Sequence, residues 1–287
     1  MKYLNFPKNQ QTLFLKSIKS KTKYSWRRLA GVLNVNRSML YFYLNESSKL
    51  SLDRYIKLCD LAKIRPKNIE TIEIKNKQVT INIPSLSNLL AEFVGALAGD
   101  GHVNDVTYEV SISMDKDLDN QYSDHIIYLF TTLFNMTTRK FVQKNKVKCY
   151  VYSKSLVYYL SETFLIPIGK KKGKLHIPQQ IKNNNTLLNS YIRGVFDTDG
   201  SFHRHHKNSA MLGFFSRDET FLKELQTALR KFKFNTYLNG KNLYIYRKDQ
   251  IDKFFKEIAP SNQKHTSKYE SYIKNGFVPL TKDILNR

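Results

Sequence analysis

The stretch YIRGVFDTDGSFHRHH (residues 191–206) ends an apolar helical run with two aspartates and a glycine. Carboxylates suit the start of a helix, where the backbone dipole is positive. Here Asp197 and Asp199 stand at the end, where the field repels them. A second such run, FVGALAGDG (93–101), lies earlier in the chain. Asp100 and Asp199 are separated by the same interval as Gly95 and Gly194, so the two stretches are in register.

Working outward, the chain from Ser85 reads as two passes of one pattern, helix–strand–strand–helix–strand–strand–helix. In the first pass YEVSISMDKD alternates, with Tyr108, Val110, Ile112 and Met114 on one face of a strand. RKFVQKN and KCYVYSK read as a hairpin, and KSLVYYLSETF as a closing helix. In the second pass AMLGFFSRD is a strand, NTYLNGKNLYIYRKD a hairpin turning at Asn239-Gly240, and QIDKFFKEI the last helix. The repeats are expected over 85–180 and 181–287 and related by a pseudo-twofold axis.

Every fourth residue back from the acidic ends is small: Ala91, Gly95, Gly99 in one helix and Ser190, Gly194, Thr198 in the other. Residues four apart share a helical face. Glycine inside a helix costs about 1 kcal/mol against alanine, so matching glycines imply a close backbone partner. The simplest partner for each stripe is the other helix, which brings Asp100 and Asp199 together. Two carboxylates at two negative helix ends repel each other unless a cation sits between them. A hard divalent ion, Mg²⁺ or Mn²⁺, suits such oxygens, with the terminal carbonyls of Gly99 and Thr198 as further ligands. Gly101 and Gly200 are expected to turn the chain out of each helix in the left-handed conformation.

FVGALAGDG and IRGVFDTDG resemble the paired motifs of the LAGLIDADG homing endonucleases, as does the inter-repeat segment IPIGKKKGKLHIP (166–178). The resemblance covers about residues 85–287. It implies an α+β fold whose tandem αββαββα repeats form a DNA-binding saddle. It also implies metal-dependent hydrolysis of both strands of a long DNA site, with Asp100 and Asp199 as metal ligands. The first motif has Ala98 where the second has Asp197, a position that varies in the family and is not the ligand. Lys154 and Lys248 occupy matching positions after strands and are the candidate catalytic cations. Basic loops beside the strands supply the candidate DNA contacts: Arg139 and Lys140 in the first repeat, His203, Arg204, His205 and Lys207 in the second.

Residues 1–70 are read as a small all-α unit, and 71–84 as a linker. RRLAGVLNVNRSMLYFYL (27–44) resembles a helix-turn-helix of the phage-repressor kind, with Arg37, Ser38 and Tyr41 on the free face of its second helix. A third helix runs from about Leu52 to Ala62.

Bulk properties agree with a nucleic-acid partner. Among 287 residues, 47 Lys and Arg stand against 24 Asp and Glu, a net charge of +23 that calls for a polyanion. Double-stranded DNA is the expected partner, and the chain is expected to act as a monomer. No apolar run approaches the ~20 residues of a membrane span. Two cysteines, Cys59 and Cys149, argue against a disulfide framework and for a reducing setting: cytoplasm, nucleoid or an organelle. Two other readings share the scaffold: an RNA maturase for intron splicing, and a regulator that binds DNA without cutting. An intein is not expected, since the chain starts with Met and ends in LNR.

Overall fold

The computed structural model describes residues 2–64, 69, 71–73, 81–206, 209–280 and 283. The chain divides into two compact units, Met1–Lys77 and Gln78–Arg287.

The first unit contains β1 (Lys2–Leu4), α1 (Gln10–Thr22), α2 (Trp26–Val32), α3 (Arg37–Leu44), α4 (Leu52–Leu61) and β2 (Thr71–Glu73). Ser25 and Asn36 cap α2 and α3 by accepting from Arg28 N and Met39 N. Leu29, Leu33, Leu40, Tyr43 and Leu58 meet in its core. To the expected helices the structure adds α1 and an antiparallel ribbon in which Lys2 pairs with Glu73. One of the three buried positions of α1 is Gln11, so its apolar period is faint in the sequence. Gln11 holds the unit together: its amide donates to the Tyr43 and Ser48 carbonyls, each at 2.8 Å, and accepts from Leu50 N at 2.9 Å.

In the second unit the first repeat is α5 (Asn88–Ala98), β3 (Gly101–Asn104), β4 (Glu109–Asp115), α6 (Asn120–Phe134), β5 (Arg139–Gln143), β6 (Lys146–Tyr152) and α7 (Lys154–Thr163). After the short α8 (Gln179–Lys182), the second repeat is α9 (Asn185–Asp199), β7 (Gly200–Arg204), β8 (Ala210–Phe215), α10 (Glu219–Lys231), β9 (Tyr237–Asn239), β10 (Asn242–Ile245) and α11 (Lys248–Glu257). The sheets are antiparallel with the same order, β3-β4-β6-β5 and β7-β8-β10-β9. The αββαββα reading of both passes therefore holds. A last helix, α12 (Gln263–Asn275), follows. Its buried residues are His265, Lys268, Ser271 and Tyr272, a largely polar inward face that shows no apolar period.

Each sheet has one helix-covered and one open face, set by the twofold alternation of side chains. In β6, Val147, Cys149 and Val151 enter the core, leaving Lys146, Lys148, Tyr150 and Tyr152 on the open side. In β10, Leu243 and Ile245 point inward and Tyr244 outward.

Helices α5 and α9 lie parallel at the centre. A methyl group on Gly95 would collide with the Tyr191 carbonyl, one on Gly194 with the Glu92 carbonyl, and one on Gly99 with the Thr198 hydroxyl. Ala91 and Ser190 are buried farther up the same helices. The expected left-handed turns at Gly101 and Gly200 are absent. Neither has positive φ, and Gly200 is extended at φ −85°, ψ 159°. Glycine is needed there for space: each strand doubles back on its own helix, where a Cβ would strike Leu97 or Phe196.

Candidate active site

The parallel packing brings both helix C-termini to one place. Asp199 is the last residue of α9, and Asp100 follows the Gly99 cap of α5. Burial pushes the Asp199 carboxyl up to about 7, and the neighbouring Asp100 charge adds to it, against Lys171 and Lys264. The Asp100 side chain reaches solvent, yet the protein around it also raises its pKa, with Lys171, Lys264 and Lys146 opposing. The repulsion expected of the paired acids thus shows at Asp199, which the Asp100 charge raises.

Two lysines that the sequence reading passed over serve this pair. Lys171, from the segment between α7 and α8, turns its ammonium onto the carbonyls that end α5: Leu97 at 3.2 Å, Ala98 at 3.0 Å, and Gly99. Those carbonyls have no helical partner and carry the negative end of the dipole. Burial lowers the Lys171 pKa, while Asp199 and Asp100 hold its charge. Lys264, in α12, pairs with Asp119 at 2.9 Å. Lys154 and Lys248 are exposed first residues of α7 and α11, and Lys154 lies over the Tyr108 and Tyr158 rings. Neither is among the charges acting on Asp100 or Asp199. The run GKKKGK was the available signal for Lys171; nothing local marked Lys264.

The other helix-end acid has a different task. Asp197 is 1% exposed and accepts from Ser261 N at 2.9 Å and Asn262 N at 3.1 Å. The Asn262 amide donates to the Asp197 carbonyl at 2.8 Å and to Asp119 at 2.7 Å. Asp197 therefore fastens α9 to the entry of α12, with its carboxyl raised to about 8 by burial. Beside it Glu92, 2% exposed, binds His125 at 2.7 Å, Ser261 Oγ at 2.8 Å and Arg193 at 3.3 Å across the helix pair. Burial works to raise Glu92, but the His125 bond and the nearby positive charges outweigh it and leave it below the ordinary range.

A divalent cation was expected on Asp100, Asp199 and the carbonyls of Gly99 and Thr198. The two raised carboxyls fit a hard cation. Gly99 does not fit, because its carbonyl accepts the Lys171 ammonium. The Thr198 hydroxyl is bonded within α9, to Gly194 O at 3.0 Å and Val195 O at 3.1 Å. Among the described residues no group of three or more His, Cys, Asp and Glu side chains is arranged to hold a metal. Further ligands would have to be water or substrate oxygens.

Strand register sorts the candidate nucleic-acid contacts. Arg139 pairs with Tyr150 and lies on the open face, its guanidinium 5.6 Å from the Tyr152 ring. Lys140 pairs with the buried Cys149 and so faces the helices, bonded to Asp124 and Asn120 at 3.1 Å each. His203 shares the open face of the second sheet, with the His205 ring beyond it 5.3 Å from that of Tyr246 and tilted against it. Arg204 pairs with buried Ala210 and donates to Val278 O on the covered side. Lys140 and Arg204 are corrected accordingly: adjacent residues of a strand cannot serve one face. Lys207 lies outside the described residues. In the first unit, Arg37, Ser38 and Tyr41 are exposed on α3, with Arg37 bonded to the Tyr41 hydroxyl at 3.3 Å.

Among the described residues no helix is long and apolar enough to cross a membrane. Cys59 and Cys149 are buried and free.

Comparison with known proteins adds the following. The glutamine–fructose-6-phosphate aminotransferase of Methanocaldococcus jannaschii is 26% identical over 220 residues, 74% of this chain and 19% of that protein. An uncharacterized protein of the same organism is 30% identical over 140 residues, 47% of this chain and 49% of its own length. The chain thus spans half or less of these curated relatives. Among solved structures it is similar to the N-terminal LAGLIDADG domain of DUF199/WhiA, at 18% identity and TM-score 0.45, over 65% of this chain and 90% of that one. It is also similar to I-DmoI in complex with DNA and Mn, at 16% identity and TM-score 0.45, over 61% and 97%. Residues 186–259 match the family model described as a LAGLIDADG-like domain. The second repeat, with the helix that ends in Asp199, carries a LAGLIDADG-like domain.

Proposed function

We propose that this chain is a site-specific endonuclease that hydrolyses both strands of a long DNA duplex with divalent metal. The observation that carries the reading is the meeting of Asp100 and Asp199 at two adjoining helix ends, each carboxyl raised by its surroundings. A divalent cation bound there would neutralise the pair, activate water and stabilise the leaving oxygen. Asp100 and Asp199 hold it; Lys171 and Lys264 offset charge on the scissile phosphates. The open sheet faces form the saddle over the duplex, with Arg139, His203 and His205 directed at it. Residues 1–70 extend recognition through Arg37, Ser38 and Tyr41 of α3. The Mg²⁺ or Mn²⁺ requirement and action as a monomer belong to the same proposal. Incubation with a randomised duplex library and Mg²⁺, followed by sequencing of cut ends, tests it; absence of any enriched cleavage site rejects it.

One observation favours a non-cleaving DNA regulator instead: Lys171 already places a cation on the end of α5. In that case the library would be bound selectively and left whole.

Two further outcomes are expected. With +23 charge and 6 or more phosphates contacted, log affinity for duplex should fall linearly with log salt, with a slope of about −5 or steeper. Titration by fluorescence anisotropy between low and physiological salt reads this directly; a flat line removes charge as the basis of binding.

The second concerns pH. Asp199 at about 7 and Asp197 at about 8 lie far above the unfolded carboxyl value of about 4. Over that window the folded chain binds more protons than the unfolded one, so stability falls as pH rises. Glu92, lowered, acts in the opposite sense and only near pH 4 and below. Buried His265 and half-buried His203, both held below the ordinary imidazole range, also act in the opposite sense up to about pH 6.5, so melting of the metal-free protein should drop from pH 7 to pH 9. Mg²⁺ should recover part of the loss at pH 8 and none at pH 5; a melting temperature that climbs from pH 7 to pH 9 contradicts both carboxyl assignments.

A further inference from the structure

The two open sheet faces differ in kind. On the first, cations lie over rings: Lys148 is 5.1 Å from the Tyr150 ring, and Arg139 covers Tyr152. On the second, the strands of the register Ser201–Gly213–Tyr244–Tyr237 present rings instead of charge. Tyr244 and Tyr246 have centroids 5.6 Å apart, and Tyr237 and Tyr246 are 6.3 Å apart. Tyr237 is 56% exposed, Phe215 49% and Tyr246 38%. Among the described residues no lysine or arginine lies over Tyr237, Tyr244 or Tyr246, and none of the strand positions on this face is lysine or arginine.

Gly213 lies beside the central ring. A Cβ there would lie 3.4 Å from Cδ1 and Cε1 of Tyr244, so the bare glycine leaves room for one edge of that ring. Asn239 and Asn242, paired across β9 and β10 beside it, offer amide donors and acceptors. Burial, Lys268 and His205 hold His203 below its ordinary pKa, so this histidine adds a neutral ring at pH 7.

We infer that the open face of the second sheet is a stacking platform for unpaired nucleobases, and that the chain binds single-stranded nucleic acid there. Flat aromatic rings on a four-stranded sheet are what unstacked bases need, since every base has a π-face. Tyrosine also serves protein contacts, but rings flanked by histidine and asparagine in a chain of +23 suit bases joined to phosphates. The inference goes beyond duplex cleavage and requires neither Asp100 nor Asp199.

The test is anisotropy with a 12-nucleotide strand, as DNA and as RNA of the same sequence, in EDTA so that no cutting intervenes. An abasic strand of equal length and a duplex are run beside them. Tyr244→Leu and Tyr246→Leu should each weaken the tighter-binding single strand by about tenfold or more, while Tyr244→Phe and Tyr246→Phe bind like wild type. The abasic strand should bind weakly and be indifferent to all four changes. Far-ultraviolet circular dichroism checks that each variant is folded. The platform is overturned if the Leu variants bind the full strand unchanged, if the abasic strand binds as tightly as the full one, or if the Leu changes weaken the duplex as much as the single strand. Failure of Mg²⁺ cleavage on any duplex bears on the proposed function alone and leaves these readings intact.

Discussion

Asp199→Asn should lower double-strand cleavage by about 10³-fold or more, roughly 4 kcal/mol of transition-state stabilisation, while duplex binding in Ca²⁺ is kept. The substitution preserves size and removes charge from a carboxyl that burial and Asp100 already push up to about 7. Folding should therefore survive, and metal-free stability at pH 8 should rise by about 1–2 kcal/mol. Asp100→Asn should behave alike in cleavage, because the proposed mechanism has the two acids, from different repeats, serve different strands. Ca²⁺, with looser coordination than Mg²⁺, should support binding without cutting. Asp197→Asn separates this mechanism from a merely structural one. That side chain accepts two backbone N–H groups from the entry to α12, so its loss should cost stability first. Duplex cleavage in Mg²⁺ beside a gel shift in Ca²⁺ decides the matter. Wild-type cutting by both Asp100→Asn and Asp199→Asn would make the pair structural and end the proposed mechanism.

How far the sequence reached depended on whether a feature was written in one stretch. The repeats were legible because periods of two and 3.6 lie along contiguous residues, and because Gly95 and Gly194 sit at one interval with Asp100 and Asp199. The paired carboxyls followed from the small-residue stripes alone. Lys171 and Lys264 did not, since each reaches the pair through the fold: Lys171 from a loop far along the chain, Lys264 from a helix whose inward face is polar. Lys154 and Lys248 match in register, and the structure makes each the first residue of a helix, outside the charges acting on Asp100 and Asp199. Lys140 and Arg204 belong to basic runs, and strand alternation, which the sequence also carries, sends them to the helix side. Gly101 and Gly200 sit where turn formers stand in sequence, but their task is clearance for the strand that follows.

Gly194→Ala should destabilise the second unit by about 4 kcal/mol or more, although helix propensity alone predicts a gain of about 1 kcal/mol. The added methyl has no room, because it would fall on the Glu92 carbonyl and the Ala96 amide, both backbone of α5. A flexible side chain can step aside; a packed helix backbone can only separate, and that opens the core between the repeats. Gly95→Ala, which meets Tyr191 O, should act the same way from the opposite helix. Gly31→Ala in α2 is the control: nothing lies within 4 Å of its Cβ position, so there propensity should win and the first unit should gain up to about 1 kcal/mol. Denaturant unfolding of the three variants, followed through both units' transitions, reads the signs directly. Cleavage should suffer with Gly194→Ala even where the chain stays folded, because the same helix separation sets the distance between Asp100 and Asp199. If Gly194→Ala and Gly31→Ala shift their transitions in the same direction, the close approach of α5 and α9 is wrong, and with it the physical basis for bringing the two carboxyls together.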